Sequence, residues 1–532
     1  MRISVYLLRR EVPFSQDCLS EPSQFHQVRV RPPEDFDHEG PVDWELFVRS
    51  APPKQAAWVS SVRPIALDDT HLDGLTSQST GGVLLVRVVG RVFAVTFGNG
   101  FHAIPAEAIE PTFGLRVAAN IIESGDVTSA DTKGLGLSAR SQKTILPAPR
   151  TFYELGVEPL EEWVRQLGGK VAAADLATTA SGADSLRLTI KNFSLPDLPR
   201  KLSEIYDAYG RDDYKRNFGF IDHYVRLNRK DPVVAELDGR VRTMVGAEDS
   251  RISFAAPDPF EQLHVASYRL KYRKACDIDD LTTEAVYGAI GQLSRCADKP
   301  GKVLVTAHDV DGKDVDRPYK LYDYVQVELT HDDGHLYALR SGVWFRIDKD
   351  HLREIDAYLR QLPDITDSLV LPEWDVAALE AAGDDKTAEG SYNKMVAKQP
   401  GFVLLDKDNV HWGRHRKIEV CDLLTDRKQL ICVKRATQSS ALSHLFAQAS
   451  VSASLMFDPV YQKKLRSHWS RLGTSQKFDG VGEWVFVYAI ATDRVGVLVD
   501  SLFFFSKVNL RNHAQAIQQR GFGVAVARIL VR

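Results

Sequence analysis

The sequence predicts a multidomain chain of mixed α+β and α/β class. An α+β domain comes first, and a core of order helix, three strands, helix, strand (αβββαβ) comes last. Three observations predict it. The chain has 532 residues, more than one hydrophobic core accommodates. Near the N-terminus, VLLVRVV (83–89) and VFAVTF (92–97) flank a Gly90-Arg91 turn and form a buried hairpin, with a helical pattern after it. Beyond residue 387, apolar residues switch repeatedly between helical and strand spacing.

Composition narrows the function. At 44% hydrophobic and 26% charged, the chain is an ordinary globular protein. A net charge of -4 and a pI near 6.4 exclude a globally basic nucleic-acid binder, so any such surface must be local. The five cysteines (Cys18, Cys276, Cys296, Cys421 and Cys432) include no CxxC pair, which argues against a zinc ribbon or a disulfide framework and for a reducing cytoplasm. The N-terminal MRISVYLL reads as a strand, and no run approaches the roughly 18 apolar residues of a membrane span. The expected location is cytoplasmic, with no membrane partner.

Taken in order, residues 2–8 alternate as a strand, as do 44–48 and 57–62. Gly98-Asn99-Gly100 closes the hairpin; it lacks the spacing of a phosphate loop and reads as a turn. Residues 105–122 look helical, and the small polar stretch 129–142 reads as a mobile loop. A first domain is placed at 1–150 and a middle α+β domain at 151–375. The middle domain is expected to hold an amphipathic helix over 160–167, a strand at 185–190 and a helix over 197–209. A small antiparallel sheet follows at 324–328, 336–339 and 343–347, its turns at His331-Asp332-Asp333-Gly334 and Arg340-Ser341-Gly342. His331 beside two aspartates reads as a turn with solvated acids in preference to a metal site. A helix over 348–362 and a linker over 363–387 lead to the last domain, 376–532.

There, a helix (387–398) carries Glu389, Tyr392 and Asn393, and strands follow at 402–405, 418–424 and 430–433. Ser439-Ser440 suit an N-cap for a helix over 440–455, with Leu442, Leu445, Phe446 and Ala449 on one face. WVFVYAI (484–490) is a buried strand; a helix at 510–520 and a strand at 522–529 complete the order.

An acid on one strand and a lysine ending the next, Asp422 and Lys434, resemble the site of PD-(D/E)XK nucleases, and the element order resembles the restriction-endonuclease-like core. That resemblance implies Mg²⁺ held by Asp422 and Glu389, with Lys434 activating water or steadying developing charge. Glu419 is a further candidate acid, and Gln448 a candidate polar residue lining the site. Glu419 and Asp422 point to opposite strand faces unless the strand bulges. Cys432 stands where the motif has Asp or Glu; Mrr-like relatives tolerate Gln there, and a thiol is a poor Mg²⁺ ligand. An ordinary hairpin with solvated charges shares this spacing. Against it, residues 411–435 carry seven Lys/Arg and three Asp/Glu, and Lys434 directly follows an apolar run. Arg414, Arg416, Lys417, Arg435, Lys463 and Lys464 are the candidate phosphate-binding residues, with Trp412 or Trp469 to stack on a base.

Blocks at 90–100 (GRVFAVTFGNG), 391–406, 418–435, 439–453 and 502–514 together resemble a sporadically distributed prokaryotic family, domain of unknown function 6119. The resemblance implies an anti-phage defence role and leaves catalysis open. Three readings stand at this point. One is an Mg²⁺-dependent nuclease acting on DNA or RNA. The second is a degenerate nuclease fold that binds nucleic acid without cutting, and the third is a sensor of a phage protein. A second copy of the chain is also an expected partner.

Overall fold

The computed structural model describes the chain except residues 33–41, 69, 136–140, 158–161, 258–264, 294–298, 383–384, 386, 406–408, 413–415, 420, 437–438 and 473–482. For residues 149, 153, 380, 409–412, 416–419, 439–441 and 444 it describes the backbone only. Among the described residues the chain is mixed α/β, with fourteen α-helices and six sheets. No helix there is long and apolar enough to cross a membrane. The chain divides into two compact units. One comprises residues 1–133, 141–222 and 228–230; the other comprises 134–140, 223–227 and 231–532.

The first unit is built on one ten-stranded sheet that continues past residue 150. Its order is His26–Val28, Asp43–Ser50, Thr80–Val88, Arg91–Gly98, Arg2–Leu7, Leu186–Thr189, Thr179–Gly182, Glu162–Val171, Ile122–Gly134, Ser141–Arg150. The hairpin predicted at 83–97 forms, with Val88 opposite Arg91. Its strands carry the unbroken apolar run Val83–Val86 and the run Val92–Val95 because both faces are covered there. Leu84, Val86 and Val88 meet the helices Phe113–Ile121 and Leu198–Gly210, while Val83 and Leu85 meet Cys18, Phe25 and Ile104. The tight turn puts Val89 and Gly90 at positive φ (48° and 67°), as a two-residue hairpin loop requires.

Three local expectations for this unit fail. Residues 162–171 are a strand, since Val164, Leu167 and Val171 gain more from pairing inside the sheet than an isolated helical face would bury. The stretch 129–142 contributes to two paired strands, with Ala130 and Thr132 buried on alternate positions. Residues 59–62 form a helical turn in place of a strand.

The second unit opens with the predicted antiparallel sheet, Val325–Thr330, Leu336–Arg340 and Val343–Ile347, extended by Tyr224–Arg226 and Ser253–Phe254. Gly334 and Gly342 sit at φ 72° and 70° in its turns. Helix α1 (Lys349–Leu359) follows, its N-terminus capped by the Asp348 carboxylate.

The last sheet has the order β1 (Phe402–Leu404), β2 (Leu423–Thr425), β3 (Gln429–Arg435), β4 (Val485–Thr492), β5 (Gly523–Leu530). β1, β2 and β3 pair antiparallel, whereas β3, β4 and β5 run parallel. Helices α2 (Ala388–Val396), α3 (Ser439–Leu455), α4 (Pro459–Trp469) and α5 (Phe504–Gln519) complete this region. α5 starts six residues earlier than its spacing predicts, because Phe504 and Phe505 are buried on its first turn.

Two expectations for this region are corrected. The run 418–424 is not one strand: Arg416–Glu419 pairs with Asn409–Trp412 in a separate hairpin, and only Leu423–Thr425 joins the sheet. Residues 363–376 of the supposed linker 363–387 instead line the open edge of β5. Ile365 N–H donates to Val526 O (2.9 Å) and Trp374 N–H to Leu530 O (2.7 Å), so the edge strand is covered.

Candidate functional site

β3 is the centre of the site. Leu430, Ile431, Cys432 and Val433 are buried, and Lys434 is the first residue of the strand to reach solvent beyond them. On one face, Ile431 and Val433 join Leu423, Tyr392 and Val396 in a single apolar cluster, which fixes α2 against the sheet. Tyr392 also stacks on Trp374 at 4.7 Å and donates its hydroxyl to Pro372 O (2.7 Å). With Thr387 capping Gly390 N–H (3.1 Å), Glu389 is delivered on the first turn of α2. Its Oε2 lies 2.8 Å from Lys434 Nζ, each side chain about 30% exposed.

Asp422 sits where the ladder slips. Leu423 is the partner of Ile431, yet Asp422 N–H also donates to Ile431 O (2.9 Å), so two residues oppose one. This is a bulge at Asp422 and Leu423; Glu419 belongs to a separate hairpin, with only its backbone described. The Asp422 Oδ2 then accepts Val433 N–H at 2.6 Å. The carboxylate therefore stands in for a main-chain acceptor, turned into the plane of the ladder, and Asp422 is only 3% exposed. Asp422→Ala should leave the Val433 N–H buried and unmatched and lower stability by about 1–3 kcal/mol. Asp422→Asn, which keeps an acceptor, should cost less; chemical denaturation of both variants checks it.

Asp422, Lys434 and Glu389 thus come from three separate elements to the carboxyl end of β3. The other candidates are placed as follows. Gln448 is half-buried on α3 between the buried Leu445 and Ala449. Glu419, Arg416 and Lys417 lie on the outer hairpin, where only the backbone is described, and Trp412 faces Arg416 across it. Arg414 is outside the described residues. Arg435 ends β3 opposite Ala491. Lys463 is exposed and Lys464 half-buried on α4, a helix capped by Asp458, which accepts from Val460 and Tyr461 N–H. Trp469 is 4% exposed and packs on Trp484 at 5.4 Å, so it does not serve as a stacking platform.

Cys432 points to the opposite face from Ile431 and Val433, close to the phenols of Tyr461 and Tyr488. Burial holds both phenols well above their ordinary range. The donor set for Mg²⁺ does not fit here. Among the described residues no group of three His, Cys, Asp or Glu side chains converges. Asp422 is committed to the ladder, Glu389 to Lys434, and the third position offers sulfur.

Two features escaped sequence reasoning. The first is a buried ion pair in the antiparallel sheet, Arg340 Nη2 to Glu328 Oε1 at 3.3 Å, side chains 5% and 6% exposed. Glu328 also accepts the N–H groups of Phe504 (2.6 Å) and Phe505 (3.2 Å), capping α5, and the Arg340 guanidinium lies 4.3 Å from the centre of the Phe505 ring. The second is His513, whose Nδ1 is 2.7 Å from Ser450 Oγ between α5 and α3. Burial pushes His513 down to about 4 from 6.5. The unfolded chain therefore takes up the proton first as pH falls. Stability from this group is whole above pH 6.5 and is lost progressively down to about pH 4, about 3 kcal/mol in all. His513→Gln should flatten that part of an acid-unfolding curve.

A family model, that of the family of unknown function DUF6119, matches residues 3–530. The chain belongs to this family. The blocks that first suggested DUF6119 fall on the hairpin of the first unit, on α2 with β1, on the outer hairpin with β2 and β3, on α3 and on α5. No curated protein and no solved structure matches the chain.

Proposed function

We propose that the C-terminal region is a nucleic-acid-binding module on a restriction-endonuclease-like core, one that grips phosphates without cutting them. The observation that carries this is the ion pair of Lys434 with Glu389 at the carboxyl end of a central parallel strand. Ligands of open α/β sheets bind outside the carboxyl ends of the strands. Here the lysine is held half-exposed by a carboxylate that an incoming phosphate can replace. The order α2, β1–β3, α3, β4 and the reversed direction of β2 support the nuclease-like ancestry. The commitment of the Asp422 carboxylate to the Val433 N–H, with a thiol at position 432, supports binding over cleavage. Helix α4, with Lys463 and Arg466 exposed, Lys464 half-buried and no acid from 461 to 472, supports a phosphate-facing surface. A place in anti-phage defence, implied by the family resemblance, accords with such a module.

The test is a titration of the full chain against labelled duplex DNA, single-stranded DNA and RNA over a range of salt. The logarithm of the binding constant should fall linearly with the logarithm of salt concentration, the slope counting the phosphates engaged. No binding at low salt, or binding indifferent to salt, would end this reading. Cleavage with Mg²⁺ or Mn²⁺ that is lost in Lys434→Ala would replace it with the nuclease reading.

A further inference from the structure

Asn393 is fully buried, and neither its Nδ2 nor its Oδ1 has a hydrogen-bond partner among the described residues. A buried amide in that condition costs roughly 2 kcal/mol or more, and an apolar residue of similar size would avoid the cost. Its position is informative. Asn393 follows Glu389 by four residues on α2, so the two side chains share one helix face, beside Tyr392 and Val396. Glu389 is turned to Lys434.

We propose that Asn393 is a positioning residue, the alternative partner of Glu389 when Lys434 leaves it for a phosphate. This rests on the phosphate-binding reading of Lys434. In the free protein Glu389 neutralises Lys434 and the Asn393 amide stays unmatched. When a nucleic-acid phosphate takes Lys434, the Glu389 carboxylate is left half-buried and uncompensated. A side-chain rotation along its own helix face turns it toward the Asn393 Nδ2–H, which gives the carboxylate a donor and the amide N–H an acceptor. The binding energy of the phosphate is then not spent on stranding a carboxylate, and the unmatched amide is the cost carried by the free state.

A double-mutant cycle tests this. Asn393→Leu should keep or raise the Tm of the free protein while weakening affinity for a labelled DNA duplex at least roughly tenfold, the weight of one hydrogen bond to a charged group. In a Glu389→Gln background, where no carboxylate is left behind when the phosphate arrives, Asn393→Leu should change affinity little. Asn393→Ala serves as the second variant should leucine not fit. Equal losses of affinity in the wild-type and Glu389→Gln backgrounds would overturn the proposal, as would unchanged affinity in Asn393→Leu alongside a clear loss in Lys434→Ala. A wild type that binds no nucleic acid, or a Lys434→Ala variant that binds as wild type, would instead remove the underlying reading.

Discussion

Glu328→Ala is expected to destabilise the second unit by about 3–5 kcal/mol, a large share of the roughly 5–15 kcal/mol that holds a typical domain folded. Two losses combine. The α5 N-terminus loses the acceptor of the Phe504 and Phe505 N–H groups, and Arg340 keeps its charge with its counter-charge removed. Burial already pulls the Arg340 guanidinium down to about 10, against the attraction of Glu328. Burial likewise raises the Glu328 carboxyl. Each group therefore tolerates its site only because of the other. The double variant Glu328→Met/Arg340→Met should be markedly more stable than Glu328→Ala, since a buried pair exchanged for apolar side chains is often close to neutral. Guanidinium denaturation of the three proteins decides it. A double variant no better than Glu328→Ala would mean that capping, and not charge pairing, is what Glu328 contributes.

Lys434→Ala is expected to weaken DNA binding about tenfold and to reduce the salt slope by about 0.9, the signature of one lost phosphate contact on a duplex. Its Tm should barely move, because a pair about 30% exposed on both sides contributes little to folding. Cys432 gives the matching control. From the motif alone, Cys432→Glu restores a missing acid. In the folded protein Cys432 is fully buried near Tyr461 and Tyr488, so the new carboxylate would be desolvated and unpaired. We expect Cys432→Glu to destabilise by several kcal/mol and to gain no metal-dependent cleavage, and Cys432→Ala to leave DNA affinity unchanged. Cleavage by Cys432→Glu, seen on a gel with Mg²⁺, would show that an acid at this position does reach a metal.

What the sequence by itself determined is the family and, in the C-terminal region, the places of α2, β1, β3, α3, β4 and β5. β3 and β4 are apolar runs bounded by polar residues, and α3 carries Leu442, Leu445, Phe446 and Ala449 on one face. Such periodicity is local and survives in one dimension. The pairing of Glu389 with Lys434 was half legible: both residues stood out as candidates, but their 2.8 Å contact depends on how α2 packs on Ile431 and Val433. Only the tertiary structure decided the rest. The bulge at Asp422 arises because a side-chain oxygen competes with the main chain for Val433 N–H, and no residue spacing encodes that competition. Residues 162–171 became a strand because Thr179–Gly182 and Ile122–Gly134 offered ladder partners on both sides, and 363–376 became an edge cover because β5, far along the chain, offered its open edge. Nothing in the sequence singled out Glu328 and Arg340, because their partner α5 lies far along the chain. Local preference sets which elements form. Which charges are buried, and which partners they meet, is set by long-range packing, where leaving a polar group unmatched costs more than any local propensity supplies.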